Sequence, residues 1–303
     1  MSTQPTTEVV ARPIDLLKKA INSDSVQEQF RNALGKHKDT FVASLIDMYT
    51  GDKSLQTCKP NAVISEALRA ATMSLPLNKA LGFSYIVVYN NKVKTVNERG
   101  QTVEKTIPTP TFITGYKGFI QLAMRTGQYR CINCDVVYEG ELRNVDKLSG
   151  RITMDGEKKS DKVVGYFAYI ELINGFSKVL FLSVEDVARH AKTYSPSLKY
   201  NKNVTVDSLK QLGENRVFAS SVGWLGNFES MALKTVLRKL LGKYGYLSIE
   251  MQQVIDLEDK ADAKAIRDME NNDPVIDVEM EDVTNQKELQ GTAQDVPDSK
   301  CPY

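Results

Sequence analysis

Four cationic side chains share one side of a helix that the sequence predicts over residues 228–244. When the residues are placed at 100° intervals, Lys234, Arg238, Lys239 and Lys243 fall within one half-turn, and the aliphatic residues occupy the other half. Cations four positions apart repel each other by a few tenths of a kcal/mol unless an opposite charge lies nearby. A row of phosphates would supply that charge, and a solvated face would tolerate its absence. A membrane surface is a third partner, although one such helix in the middle of a globular chain is unusual for that role.

A second basic motif, Gly-Tyr-Lys-Gly, occupies residues 115–118, directly after a predicted strand. Glycine lets a ligand approach the backbone closely and leaves amide groups available to anions. Tyr116 offers a ring on which a base can stack, while Lys117 and Arg125 offer cations on one side of the following helix. These residue types are typical of single-strand binding, but the same motif can also form a turn with a tyrosine in the core.

Cysteine and acidic residues give little support to a metal site. Cys131 and Cys134 form one Cys-x-x-Cys pair, and residues three apart on a strand point to opposite faces, so we expect buried free thiols rather than a chelate. Asp135, Glu139 and Glu141 are candidate ligands of a two-metal nuclease, but they also suit the polar face of a strand. We therefore predict no metal and no other cofactor.

Motifs and composition argue against several enzyme classes and against a membrane protein. Gly242-Lys243 lacks the rest of a phosphate-binding loop, because Tyr244 stands where serine or threonine is needed. No serine-hydrolase or zinc-protease motif is present. The chain has two histidines, which is few for a histidine-dependent mechanism. No apolar run reaches the roughly 18 residues of a membrane helix, and the first residues lack a secretory apolar segment. With four cysteines in 303 residues, these features predict a cytoplasmic protein with reduced thiols.

Charge is distributed unevenly along the chain, although the net charge is +1. Residues 1–255 carry 34 Lys and Arg against 24 Asp and Glu, net +10, whereas residues 256–303 carry 5 against 14, net −9. A basic body with an acidic tail is typical of a protein that meets a polyanion, although acidic tails can also serve solubility alone. We expect a flexible N-terminus over 1–12, a folded domain over 13–255, and an acidic tail that is partly helical and then disordered.

The pattern of apolar residues predicts an α+β fold in which helices flank a mostly antiparallel sheet. Turn signals place a hairpin around Arg99-Gly100 and a tight turn at Asn174-Gly175, while the stretch 194–223 is expected to be irregular. The predicted helices cover 13–21, 41–49 after a Thr40 cap, 61–75, 116–126, a segment capped by Ser183, and 228–244, and the predicted strands cover 82–90, 131–141, 163–172 and 178–182.

Taken together, four segments resemble the RecT family of phage and prophage single-strand annealing proteins. They are LPLNKALGFSYIVVY, ITGYKGFIQLAMRTGQYRCINCDVVYEGE, the strand pair around YFAYIEL, and W-x3-F-x2-MALKTVLRKLLGKYGYLSIEMQ from Trp224, in the family's order across about residues 25–255. The resemblance implies a mixed α+β core that assembles into rings or helical filaments, with DNA in a basic groove that runs between subunits. It also implies annealing of complementary single strands without ATP, beside an exonuclease that produces 3′ overhangs.

The resemblance and the helix pattern together assign the candidate DNA contacts. Trp224 and Phe228 match aromatic positions of the family, and we expect them in the core. The stretches 90–111 and 199–222 are longer than in typical members. This leaves open whether Lys192 and Lys199 reach DNA. The candidate contacts are Gly115, Tyr116, Lys117, Gly118, Arg125, Lys234, Arg238, Lys239 and Lys243.

The sequence thus predicts a DNA-binding homo-oligomer of the bacterial cytoplasm that is not an enzyme. Candidate partners of the C-terminal region are an exonuclease and the host's single-strand binding protein. A metal-dependent nuclease acting on DNA ends is the alternative, and an RNA-binding or phage structural protein is a third hypothesis.

Overall fold

The computed structural model describes residues 12–96, 102–199, 201–219 and 223–270 of the chain. Helices and antiparallel strands occur together in it, so the predicted α+β class is confirmed. Within these ranges no helix combines the length and the apolar character needed to cross a lipid bilayer. The predicted turn at Arg99-Gly100, nearly all of the segment 1–12 and the tail beyond 270 lie outside the described residues.

The first four helices form an N-terminal layer with its own apolar core. They are α1 Pro13–Ile21, α2 Asp24–Leu34, α3 Lys38–Gly51 and α4 Pro60–Thr72, with 3-10 turns at Gly35–His37 and Leu55–Thr57. Helix α3 begins before Thr40, so this residue lies inside the helix and does not cap it. The apolar pattern does not reveal α2, because its sequence DSVQEQFRNAL is polar and buries only Phe30.

A long antiparallel hairpin follows, formed by β1 Ser84–Val96 and β2 Thr102–Thr114. The first strand continues past the predicted end at residue 90. The buried Glu66 carboxylate of α4 accepts the Phe112 backbone N–H at 2.8 Å, which anchors the base of the hairpin to the helical layer. Burial raises the pKa of Glu66, and the bond from Phe112 opposes that rise.

A second core surrounds a three-stranded antiparallel sheet with the order β3-β6-β7. Tyr166, Ala168 and Ile170 alternate along β6 and are fully buried, as expected where every second residue of a strand points to one face. The strands are β3 Tyr129–Tyr138, β6 Val163–Leu172 and β7 Ser177–Ser183, and the short pair β4 Asn144–Val145 and β5 Ile152–Thr153 lies between β3 and β6 in the chain.

Helices cover the inner face of this sheet. The helices that contact the sheet are α5 Tyr116–Arg125, α6 Val184–Tyr194, α8 Val206–Glu214 and α9 Phe228–Tyr244. Helix α7 Pro196–Lys199 packs on α6, and α10 Ile249–Glu270 packs on α5 and α6. Ser183 caps α6 through a capping box with Asp186, as predicted. We expected the stretch 194–223 to be irregular, but it contains the helices α7 and α8. Thr205 caps α8 through a reciprocal bond with Ser208.

Helix α5 approaches the start of the hairpin so closely that two positions of its first turn accept only glycine. A Cβ atom on Gly115 would lie 2.2 Å from the carbonyl oxygen of Gly82, and one on Gly118 would lie 2.3 Å from that of Phe83. The Gly115 N–H also donates to the Phe83 carbonyl at 2.9 Å. The glycines of the Gly-Tyr-Lys-Gly motif therefore allow two backbones to touch.

We predict that Gly118→Ala lowers the free energy of unfolding by about 1–3 kcal/mol, because the added methyl overpacks this contact. Alanine normally stabilises a helix relative to glycine, so the sign of the effect is diagnostic. Gly51→Ala, at the end of α3 with open space around its Cβ position, is the matched control and should be neutral or stabilising. Urea unfolding measures both, and a Gly118→Ala protein as stable as its parent would contradict the packing argument.

Candidate nucleic-acid interface

Helix α9 has an apolar half and a cationic half, as its sequence predicts. Asn227 caps its start by accepting the Ser230 N–H at 3.0 Å. Leu237 and Leu240 are fully buried against the sheet, whereas Lys239 and Lys243 are exposed. The side chains of the apolar half that are buried in the second core are Phe228, Leu233, Val236, Leu237, Leu240 and Leu241.

The other two cations of α9 do not project freely into solvent. The side chains of Lys234 and Arg238 are only 12% and 13% exposed. Both reach the Glu258 carboxylate of α10, with N–O distances of 2.7 Å from Lys234 and 3.3 Å from Arg238. Arg238 also lies 3.7 Å from an oxygen of Asp259. The acidic helix α10 of the same chain therefore supplies the counter-charge whose source the sequence did not identify.

Helix α10 is attached to the body of the protein by its first turns. Met251 and Val254 are buried in the second core. The Ser248 hydroxyl accepts the Met251 N–H at 3.3 Å, just before the helix proper. The helix then continues without a break through residue 255, the predicted end of the folded domain. The carboxylates that meet α9 come from the segment after this boundary.

Arg125 and Tyr116 are largely engaged by the protein itself. The Arg125 guanidinium donates to the carbonyls of Met73 and Ser74, at 2.7 and 2.9 Å, and so satisfies backbone groups at the end of α4. It also lines a cavity of about 330 Å³ together with Glu250 and residues at the end of α4. The Tyr116 ring is half-buried against the second core, and this burial raises its pKa.

Lys117 stands apart from these engaged residues. Its side chain is exposed. Lys117 lies at the N-terminal end of α5, whereas Arg125 lies at the C-terminal end. Helices α5 and α9 pack against each other, so the two predicted basic motifs belong to neighbouring elements. Direct contact of the candidate residues with DNA stays a prediction.

His190 of α6 lies beside the cationic half of α9. Burial lowers its pKa to about 3, and the nearby charges of Lys239 and Arg238 contribute to the shift. The ring therefore stays neutral at physiological pH. Its centroid lies 4.5 Å from that of the Tyr194 ring, and the two planes are tilted by 39°. Lys192, on the same helix, donates to the Leu198 and Asn201 carbonyls.

Candidate metal ligands are not brought together. Cys131 and Cys134 lie on opposite sides of β3, as the spacing predicts. The expectation of buried thiols is wrong for Cys131, which is exposed because its side of the strand faces away from the second core, whereas Cys134 is half-buried against that core. Burial raises the pKa of the Cys134 thiol to about 11. Glu139 accepts the Ser160 hydroxyl, and Glu141 accepts the Tyr138 N–H. Among the residues that the structure describes, no three His, Cys, Asp or Glu side chains form a ligand set.

Sequence reasoning missed Glu258 and Asp259. The sequence signal for them is the opposite net charge of residues 1–255 and 256–303. We interpreted the acidic part as a solvated arm, not as a partner of α9. Trp224 and Phe228 are in the core, as expected, with ring centroids 5.4 Å apart.

The depressed pKa of His190 predicts a pH-dependent stability. Between about pH 6.5 and 3, His190 is protonated in the unfolded chain but neutral in the folded chain. The free energy of unfolding therefore falls as the pH is lowered. The loss is at most about 1.4 kcal/mol per pH unit. His190→Gln should flatten the dependence measured by denaturant unfolding between pH 7.5 and 5. His37→Gln, on the surface of the N-terminal layer, is the control, and parallel curves for parent and His190→Gln would refute the assignment.

Known proteins match nearly the whole chain. The RecT family model covers residues 39–277. "Uncharacterized protein YqaK" of Bacillus subtilis (strain 168) is 36% identical over 300 residues, which cover 95% of this chain and 90% of that protein. "Protein RecT" of Escherichia coli (strain K12) is 26% identical over 251 residues, or 79% of each chain. This chain therefore belongs to the RecT family.

Proposed function

We propose that this protein binds single-stranded DNA and anneals complementary strands without ATP, in the cytoplasm of a bacterial host. Membership of the RecT family, whose members act in DNA recombination by single-strand annealing, supports the proposal. The basic residues of α9, together with Tyr116, Lys117, Gly118 and Arg125 of α5, are the proposed contacts.

One observation carries the proposal: Lys234 and Arg238, one helical turn apart, converge on a single carboxylate. A phosphodiester also presents two oxygens that share one negative charge, so the same pair of cations suits a nucleic-acid phosphate. The exposed Lys239 and Lys243 extend the basic side beyond this pair.

Annealing by such a surface needs no covalent chemistry. Two strands repel each other through their phosphates, and cations that bind the backbones reduce that repulsion. Backbone contacts leave the base edges free to test pairing. Each correct step then adds roughly 1.4 kcal/mol of stacking. The chain's contribution is thus to concentrate and align the strands, while the DNA supplies the energy.

Assembly and partners follow from the same proposal. We expect the protein to form a ring or helical filament, because contiguous subunits make binding to a long strand cooperative. Electron microscopy with and without complementary oligonucleotides tests this. The region 256–303 is the proposed contact for an exonuclease or a single-strand binding protein. Deletion of residues 271–303, which keeps α10 and its Glu258, should impair recombination in cells while purified annealing persists.

The exposed cations of α9 provide the direct test of binding. Lys239→Gln with Lys243→Gln should weaken binding to oligo(dT) and slow annealing of labelled complementary strands. The slope of log affinity against log salt should fall by about 1.4, at ~0.7 per lost contact on a single strand. Lys18→Gln with Lys19→Gln removes the same charge from the surface of α1 and is the matched control.

Two results would count against the proposed function. Equal affinity and salt slope in both double variants would remove α9 from the interface. Shortened products after incubation of labelled DNA with Mg²⁺ would favour the nuclease alternative.

A further inference from the structure

The segment of α10 that meets the cations of α9 differs from the segment that anchors the helix. Met251 and Val254 are buried in the core. From Asp256 onward the described side chains are charged or partly exposed, and Leu257 is 39% exposed. Within residues 256–260, the described contacts to α9 are therefore ion pairs rather than apolar burial. We call residues 256–260 the acidic cover.

The described contacts between the acidic cover and α9 are made by two carboxylates. Glu258 serves two cations at once, and Asp259, still 61% exposed, approaches Arg238 only at 3.7 Å. The Asp256–Lys260 pair is internal to α10 and exposed, so it does not tie the cover to α9. Opening the cover would leave the anchored turn of α10 in place but would strand Lys234 and Arg238 without Glu258. Charges so little exposed require a replacement anion.

A strand of DNA supplies such an anion at every nucleotide. Lys239 and Lys243 lie exposed on the same side of α9, where phosphates can bind before the cover moves. Neighbouring phosphates are then close to Lys234 and Arg238 and can substitute for the Glu258 carboxylate.

We propose that the acidic cover of α10 and the phosphates of single-stranded DNA compete for Lys234 and Arg238, so that the chain inhibits its own DNA binding until a strand displaces the cover. This inference rests on the proposed function, because it requires DNA to bind this side of α9. The apparent affinity is then the intrinsic affinity reduced by the fraction of molecules in which the cover is open. The same fraction sets how strongly removal of Glu258 can increase binding.

Glu258→Gln in the full-length protein tests the competition. It keeps the size of the side chain and removes the charge that Lys234 and Arg238 share, so we expect at least fivefold tighter binding to fluorescent oligo(dT) at low salt. Asp256→Asn makes the same charge change two residues away, at an exposed position paired only within α10, and should bind within twofold of the parent. The contrast separates a specific cover from a general loss of negative charge.

Hydrogen exchange of the unmodified protein provides a second measurement, which stands even if Glu258→Gln folds poorly. Saturating oligo(dT) should reduce the protection of amides in residues 256–260, while amides of the anchored turn around Met251 and Val254 keep theirs. Unchanged or increased protection of 256–260 in the DNA complex would overturn the inference.

The outcomes distinguish this inference from the proposed function. If the parent binds oligo(dT) through Lys239 and Lys243, but Glu258→Gln binds no better than Asp256→Asn, the cover does not compete and the proposed function stands. Weaker binding by Glu258→Gln has the same meaning, since Glu258 would then position the cations for DNA. If neither the parent nor Glu258→Gln binds oligo(dT), the proposed function itself fails.

Discussion

The burial of one half of α9 between the sheet and its neighbouring helices orients the whole candidate interface. Val236, Leu237 and Leu240 are completely inaccessible, and burying each such side chain contributes roughly 1.5–3 kcal/mol relative to exposure. A helix held along one side by this much apolar surface cannot rotate, so Lys239 and Lys243 must lie on its outer side. The basic surface is thus a consequence of core packing.

This arrangement concentrates positive charge where little water is available, and the fold offsets the resulting repulsion locally. Lys234 and Arg238 are almost covered, and a covered charge is costly unless it is paired. Glu258 provides the pairing from a helix that is itself anchored in the core. His190 adds no further charge, because burial beside these cations keeps its imidazole neutral. Charge balance at α9 therefore depends on side chains from three helices.

The same elements show that the Gly-Tyr-Lys-Gly motif and Arg125 have structural roles beside the binding role proposed for them. The two glycines of Gly-Tyr-Lys-Gly allow α5 to touch the backbone at Gly82 and Phe83, and Arg125 satisfies carbonyls at the end of α4. These contacts join the N-terminal helical layer, the hairpin and the helices on the sheet into one support. Under the proposed function, cations mounted on such rigid elements would hold two flexible strands in a fixed alignment.

The sequence by itself determined the α+β class, the strands β3, β6 and β7, the caps and bounds of several helices, and the two-sided character of α9. All of these depend on periodicity or on residues within one turn of each other, which the local backbone geometry converts directly into structure. The sequence did not predict helices α2 and α8, because they bury few side chains and so show a weak apolar pattern. Only the tertiary structure decided that Glu258 meets Lys234 and Arg238, twenty or more residues earlier, and that Arg125 caps carbonyls more than fifty residues away. Such contacts depend on how helices pack, and a charge pattern records how many opposite charges exist without recording which of them meet.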